Sequence, residues 1–402
     1  MKRKPLEGIH VLEIGAYISA PYAGALLAAL GADVVKVEPP EGEMFRRGVG
    51  VKSPYFVQYN TGKKSVAVDL KSADGRKLIE SLVPRFDVLL ENMRPGKLAT
   101  LGLGPDVCRR INPRLVYASV SGFGSGGPLV DRPAYDSIGQ SFGGLYSIMN
   151  DADDLRLTGT CIADLITAIT ATMGILAALV GRGLDPDHRG PMVETSLMEA
   201  VSTLTIDAMT QAFETGEDPV RETRHPQAQN FCLHTASGQA IALHLSSSEK
   251  FWRALMTAVG REDLIDDPRF RRYADRAQRE HFTQLKEILE TEFRKRPRSE
   301  WERRLEEADV PFAPALTVGE VADHPQTQWL KLLTHPYEGQ ALVQPPWKFD
   351  GERPMRADQA PHVGEHTWDV LRDVCTEAEL RTLAAKGTIA GPAPESLGQG
   401  GP

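Results

Sequence analysis

The first 200 residues alternate short, continuously apolar runs with helix-period segments, and this alternation restricts the fold more than any other feature of the chain. IHVLEIG (9–15), DVVKVE (33–38), SVAVDL (65–70), DVLLEN (87–92) and LVYASVSG (115–122) are strand-length and rich in Val, Ile and Leu. Strands apolar on both faces belong to parallel sheets covered by helices. The intervening segments fit: SAPYAGALLAALGA reads as a helix stopped by Gly31 at its C-terminal cap, and DGRKLIESLVPR as an amphipathic helix. The expected fold class is α/β, with a parallel sheet whose ligands sit outside the carboxyl ends of the strands.

The pattern changes after PMVETSLMEAVSTL (191–204). Residues 205–230 are polar and read as a linker. CLHTASGQAIALHL is a short β-patch, and charged helices follow it to about residue 320, as in a smaller α+β domain. Residues 330–370 are Pro-rich with short strands, TEAELRTLAAKG is the expected last helix, and GTIAGPAPESLGQGGP reads as a disordered tail.

Charge is unevenly spread. The chain carries a formal net charge of −8, yet its first 120 residues hold 18 Lys and Arg against 12 Asp and Glu. A basic third on an acidic protein points to a local anionic ligand. No helix-turn-helix or Arg/Lys-aromatic module points to nucleic acid. The four cysteines (Cys108, Cys161, Cys232, Cys375) share no short spacing, which argues against a disulfide framework or a zinc site and suits a reducing cytoplasm. The basic N-terminus lacks a long apolar stretch, so no signal peptide is expected. Cys161–Val180 is long enough to span a membrane, but it carries Asp164 and several threonines, and a helix interior to the α/β domain is the expectation.

Several motifs sit where such a sheet does chemistry. The first β-α turn, EIGAYISAP (13–21), keeps only Gly15 of a dinucleotide G-x-G-x-x-G, so Glu38 at the end of the second strand is not expected to hold a nicotinamide ribose. ENMRPG (91–96) puts Asn92, Met93 and Arg94 at the carboxyl edge, where the Arg94 fork suits phosphate. Lys71 ends VDLK (68–71) and forms with Lys63, Lys64 and Arg94 either a polyphosphate cluster or a solvated face. SGFGSGGPLVDRPAYD (121–136) is glycine-rich, as close backbone approach to a ligand requires. Asp164, in TGTCIAD, falls in the first turn of the long apolar helix, where unpaired N–H groups favour its anion. Its carboxylate is either a helix cap or a nucleophile toward an activated acyl group. The histidines, RHPQ and GEHT included, lack metal-binding spacing, His366 is read as capping or packing, and no G-x-S-x-G is present.

PLEGIHVLEIGAYISAPYAGALLAALGADVVKVEPPEG, YNTGKKSVAVDLKSADGRKL, VLLENMRPGKLATLGLG, SVSGFGSGGPLVDRPAYD, GTCIADLITAITATMGILAAL, VPFAPALTVGEVADHPQ and VGEHTWDVL follow one another as in the class III CoA-transferases, which this chain resembles over nearly its whole length. The resemblance implies an interlaced homodimer. Each chain has a Rossmann-like large domain from both chain ends (1–205 and 330–402), a small domain (225–325) and linkers at 206–224 and 326–329. It implies transfer of CoA from an acyl-CoA donor to an organic acid acceptor, through an aspartyl anhydride and an enzyme-CoA thioester on Asp164. Coenzyme A is then a substrate, with no metal and no nucleotide cofactor, and the partners are an acyl-CoA, a carboxylic acid and a second copy of the chain, with no nucleic acid or membrane. By motif match CoA runs along Tyr17, Ile18 and Ser19, Val68 to Lys71, Asn92, Met93 and Arg94, and Pro133 to Asp136, including Tyr135.

The chain departs from some transferases, which have Gln where Ile18 stands and Arg where Thr100 stands. It also lacks the consecutive glycines that close over the site in formyl-CoA transferase, which argues against formate or oxalate. The alternative is the α-methylacyl-CoA racemase branch, which exchanges an α-proton with a His where this chain has Tyr135, a poor base near neutral pH.

Overall fold

Val11, Leu12 and Ile14 are buried on alternate faces of one strand, and this two-sided burial organises the large unit. The computed structural model describes residues 3–46, 53–221, 223, 229–337, 340–357 and 359–393; the RHPQ motif and the last nine residues of the expected tail lie outside them. Two compact units emerge, Met1–Arg221 with Gln328–Pro402, and Glu222–Thr327.

The large unit begins β1 (His10–Ile14), α1 (Ser19–Ala29), β2 (Asp33–Glu38), α2 (Pro54–Asn60), β3 (Lys64–Val68), α3 (Ala73–Leu82), β4 (Val88–Glu91), α4 (Lys97–Thr100), α5 (Pro105–Ile111) and β5 (Val116–Ser121). It continues with α6 (Asp136–Phe142), α7 (Leu145–Met149), α8 (Ile162–Leu184), β6 (Met192–Ser196), α9 (Leu197–Ser202) and α10 (Ile206–Thr215). The last of these is a helix where a linker was expected. The small unit holds β7 (Asn230–His234), β8 (Ala240–His244), α11 (Glu249–Val259), α12 (Tyr273–Arg276), α13 (Arg279–Phe293), α14 (Arg298–Glu307), β9 (Phe312–Pro314) and α15 (Val318–Asp323). Then α16 (Pro325–Leu330) leads to β10 (Leu333–Thr334), β11 (Leu342–Val343), α17 (Thr367–Leu371), α18 (Glu377–Ala385) and β12 (Ile389–Ala390).

The main sheet runs β12-β3-β2-β1-β4-β5-β6. Pairs among β1 to β6 are parallel, and β12 is antiparallel to β3. The start of the expected tail is therefore a strand that covers the β3 edge. One face packs Leu12, Val35, Val66 and Leu89 against Ile79, Leu82, Leu371 and Leu380. The other packs Val11, Val34, Val88 and Val116 against Ala23 and Leu27 of α1 and Ala168, Ala171 and Ile175 of α8. Gly31 follows α1 at φ +106°, a left-handed stop that only glycine adopts freely. The small unit sets the antiparallel sheet β7-β8-β9 against α11, α13 and α14, around Leu233, Ile241, Trp252, Leu289 and Trp301.

Candidate active site

In the order 3-2-1-4-5-6 the chain builds outward from β1 in one direction and then returns to its other side at β4. Loops leaving β1 and β4 therefore diverge, and the crevice between them is where ligands bind in such sheets. Asn92 ties the two loops together. Its Oδ1 accepts from the Ala16 amide at 3.1 Å, and its Nδ2 donates to the Ala16 carbonyl at 2.9 Å and to Ser19 Oγ at 3.1 Å. Gly15 permits this approach, since a Cβ there would stand 3.0 Å from Asn92 Oδ1 and 2.9 Å from Ala20 Cβ. A third loop closes in from the glycine-rich segment. A Cβ on Gly122 would lie 2.3 Å from that of Ala134.

The three loops enclose a pocket of about 190 Å³. Tyr17, Ser19, Asn92, Met93, Arg94, Tyr135 and Asp164 all line it, together with Val120 to Phe123, Arg132 to Ala134, and Leu197. Tyr17 meets Tyr135 and Phe45 edge-on, at centroid distances of 6.0 and 5.6 Å. Arg94 and Arg132 are exposed and make no ion pair among the described residues.

Asp164 is the third residue of α8. The N-cap residue, Cys161, makes no side-chain cap bond. The Asp164 amide instead donates to Asp136 Oδ1 at 3.2 Å. Asp136 opens α6 and is held by Gln140, whose Nε2 donates to Oδ2 at 2.5 Å and to the Thr160 carbonyl at 3.1 Å. Capping thus falls to Asp136, and the Asp164 carboxylate is left facing the pocket. Burial first, and then the Asp136 charge, push the Asp164 carboxyl up to about 7, against a hydrogen bond from Ser19. The helix start was expected to favour the anion; desolvation and a like charge outweigh it. Nearby Tyr59 is pushed up to about 12 by burial and then by Cys161 and Asp164, so its phenol keeps its proton.

Other expected site residues lie elsewhere. Ile18 is 7% exposed and turned into the core, Val68 is 1% exposed within β3, and Asp136 stands behind Asp164 rather than in the pocket wall. Lys71 is exposed beyond the carboxyl end of β3, two strands from β1. Of the two readings of Lys71, the polyphosphate cluster required β3 and β4 to be neighbours, and they are not. Lys64 starts β3 at the opposite edge and pairs with Asp33 at 2.8 Å. Lys63 is buried and bonds Glu13 at 2.7 Å. Glu38, at the end of β2, is clamped by Arg46 at 2.7 Å and by Ser65 at 2.6 Å. His366 accepts from the Ser65 amide at 3.3 Å, a packing role.

The ion network beneath the first turn was not anticipated. Glu13 and Lys36 are fully buried cross-strand partners, joined at 3.0 Å. Opposite charges at matching positions of two apolar strands, HVLEI and DVVKVE, were the available signal. Gly24 makes room for them, since a Cβ there would fall 2.0 Å from Glu13 Oε2.

A family model described as CoA-transferase family III matches residues 6–367. An acetyl-CoA:oxalate CoA-transferase of Acetobacter aceti is 33% identical over 330 residues, covering 80% of this chain and 84% of the relative. A succinate–glutarate CoA-transferase of Agrobacterium fabrum is 29% identical, covering 96% and 98%. Among solved structures, a CaiB/BaiF family protein from Brucella suis superposes with a TM-score of 0.80 at 27% identity, covering 93% of this chain and all of that one.

Proposed function

The chain belongs to CoA-transferase family III and is a CoA-transferase, and on that premise we propose that it passes coenzyme A from an acyl-CoA to a short dicarboxylic acid through covalent intermediates on Asp164. The observation that carries this reading is a carboxylate pushed up to about 7 in the wall of a switch-point pocket. A carboxylate of raised basicity is a better nucleophile toward a thioester, and at neutral pH a large fraction is still ionised.

The steps exchange one activated acyl bond for another. An Asp164 oxygen attacks the thioester carbonyl, the C–S bond breaks, and CoA leaves as thiolate. The thiolate then attacks the aspartyl carbonyl of the mixed anhydride, releasing the donor acid as carboxylate and leaving CoA on Asp164 as a thioester. The acceptor carboxylate attacks that thioester, forming a second anhydride and freeing the thiolate again. Attack of the thiolate on the acceptor acyl carbon gives the new acyl-CoA and restores Asp164. Backbone amides of the converging loops are suited to hold the tetrahedral oxyanions. Any water in the pocket would hydrolyse the anhydride, so exclusion of solvent is part of the mechanism.

The exposed Arg94 fork suits a CoA phosphate, and Lys71, farther along the carboxyl edge, suits another. The relatives named above act on oxalate and glutarate, both diacids, which supports a diacid acceptor here. The missing glycine run is the ground for setting the longer diacid ahead of oxalate. Proton abstraction at an α-carbon is not favoured, because exposed Tyr135 stands where that branch holds its base.

The assembly in this reading is a homodimer. Met173, Val180 and Leu184 on α8 and Ile206, Met209 and Phe213 on α10 are exposed, Phe213 by 90%. Soluble proteins seldom leave so much apolar surface to water, and a second copy would cover it. Four free cysteines suit the cytoplasm.

The test is Asp164→Ala, with a panel of acyl-CoA donors and acids read by mass spectrometry. Wild-type protein mixed with donor alone should carry CoA on the peptide containing Asp164, removable by hydroxylamine. The variant should bind acyl-CoA yet lack both label and exchange. Exchange at the wild-type rate in the variant would refute the assignment.

A further inference from the structure

The turn from β1 into α1 is held by three side chains, of which Lys36 and Glu43 do not line the pocket. Gly15, Ala16 and Tyr17 are successive residues, and each is pinned through its backbone. Lys36 donates to the Gly15 carbonyl at 2.7 Å, Asn92 takes both polar groups of Ala16, and the Tyr17 amide donates to Glu43 Oε2 at 3.1 Å. Tyr17 needs such a hold. Its φ of +67° lies in the left-handed region, which non-glycine residues seldom adopt without support.

Glu43 and Lys36 are themselves fixed. Lys36 bonds Glu13 at 3.0 Å and lies 3.7 Å from Glu43, while Asn60 donates to Glu43 at 3.4 Å. The Glu43 amide donates to Glu38 at 3.3 Å. Glu13, Glu38 and Glu43 balance Lys36, Lys63 and Arg46, all six buried. Replacing such buried ion groups by apolar side chains is often neutral or stabilising, so stability alone does not call for them.

Two residues past Tyr17, the Ser19 hydroxyl accepts from Asn92 at 3.1 Å. A hydroxyl that accepts from an amide on one side is free to donate on the other, and Ser19 and Asp164 line the same pocket.

We propose that Glu43 and Lys36 are positioning residues for acyl transfer: by locking Gly15 to Tyr17 in a left-handed turn they aim the Ser19 proton at the Asp164 carboxylate. This rests on Asp164 being the nucleophile. The groups facing Asp164 are Ser19 of α1, Asp136 of α6, Cys161 at the head of α8, Tyr59 of α2, and the pocket residues Tyr17, Arg94, Arg132 and Tyr135.

The variants are Glu43→Ala and Glu43→Asp. The second keeps the charge beside Lys36 but withdraws the carboxylate from the Tyr17 amide by one methylene, so it serves if the alanine variant does not fold. Each should lower kcat about tenfold with KM for acyl-CoA changed less than about threefold, as expected for a misaimed group rather than lost binding. Each should also move the Asp164 titration to higher pH, read without turnover from 13C-carboxyl NMR of Asp-labelled protein, with the signal assigned by Asp164→Asn. Ser19→Ala should give the same displacement, and Ser19→Ala with Glu43→Asp no more than Ser19→Ala alone. A folded Glu43 variant with unchanged kcat and titration overturns the proposal, as does a double variant whose effects add. Absence of CoA label on Asp164 in the wild type would sink the functional reading instead, and leave the NMR displacement to be judged by itself.

Discussion

Replacing Asp136 by asparagine should make the enzyme faster in acid. Asp164 is pushed up to about 7, with the Asp136 charge the second cause after burial. A group with that value is ionised in about one molecule in eleven at pH 6 and about ten in eleven at pH 8, so first-step acylation in the wild type should rise about tenfold across that interval. A like charge a few ångströms away, at an effective dielectric constant of about 20–40, contributes roughly 1.5 kcal/mol, or about one pKa unit. The asparagine side chain of Asp136→Asn would keep an oxygen for the Asp164 amide while removing that charge, giving up the Gln140 bond to the second oxygen as Gln140 stays on the Thr160 carbonyl. With the titration near 6, half the variant molecules are ionised at pH 6, and acylation there should be roughly fivefold faster than in the wild type and equal to it at pH 9. The assay is quenched single turnover at saturating donor, following free CoA, so that titration of substrate phosphates does not enter through binding. An acid limb that stays in place, or moves to higher pH, would refute the electrostatic reading of this pair.

The same carboxyl links to stability. Its folded value lies above the ordinary 3.8, so the native state holds the proton longer and stability is lost as pH rises from about 4 to 7. Asp164→Asn should therefore unfold at higher urea than the wild type at pH 8, with a much smaller gap at pH 5; about three pKa units give an upper figure of about 4 kcal/mol, reduced to about 1–3 by the solvent that reaches a half-buried side chain. Gly24→Ala drives a methyl group to 2.0 Å from Glu13 Oε2 and 3.2 Å from Lys63 Nζ, prising apart a buried pair, and should cost about 3–5 kcal/mol in urea denaturation. If α10 forms part of the proposed homodimer interface, Phe213→Glu should lower the sedimentation coefficient relative to the wild type; an unchanged coefficient would count against that interface.

Strands β1 to β5 are legible because each is buried on both faces and so reads as a largely apolar run, whereas β6 is partly exposed and carries Glu194. Asp164 is legible for the converse reason, as the one charge in the apolar run Cys161–Val180, which follows a glycine-rich loop. Contacts that depend on strand order are not. Lys63 and Lys64 are adjacent in sequence, yet one is buried on Glu13 and the other pairs with Asp33 at the far edge. Nothing local distinguishes a solvated lysine from one neutralised by a strand two positions away. Ile18 and Ser19 are likewise consecutive, and the phase at which α1 starts turns one into the core and the other into the pocket. In α10, Ile206, Met209 and Phe213 carry helical spacing, but no residue of that helix is buried within the chain, so the stripe had no partner to identify it. Two-residue β12 is too short to carry a pattern at all.

The outer border of β3 has a consequence for synthesis. Val68 pairs with Ile389, Ser65 bonds the Gly364 amide, and the Ala67 amide donates to Thr367, which lies 300 residues farther along the sequence. While the ribosome is still making the intervening polypeptide, that border presents bare amides and carbonyls, a template for pairing with any neighbouring nascent chain. Premature termination anywhere before Ile389 would leave the template exposed for good, and such fragments should aggregate rather than accumulate as partly active enzyme.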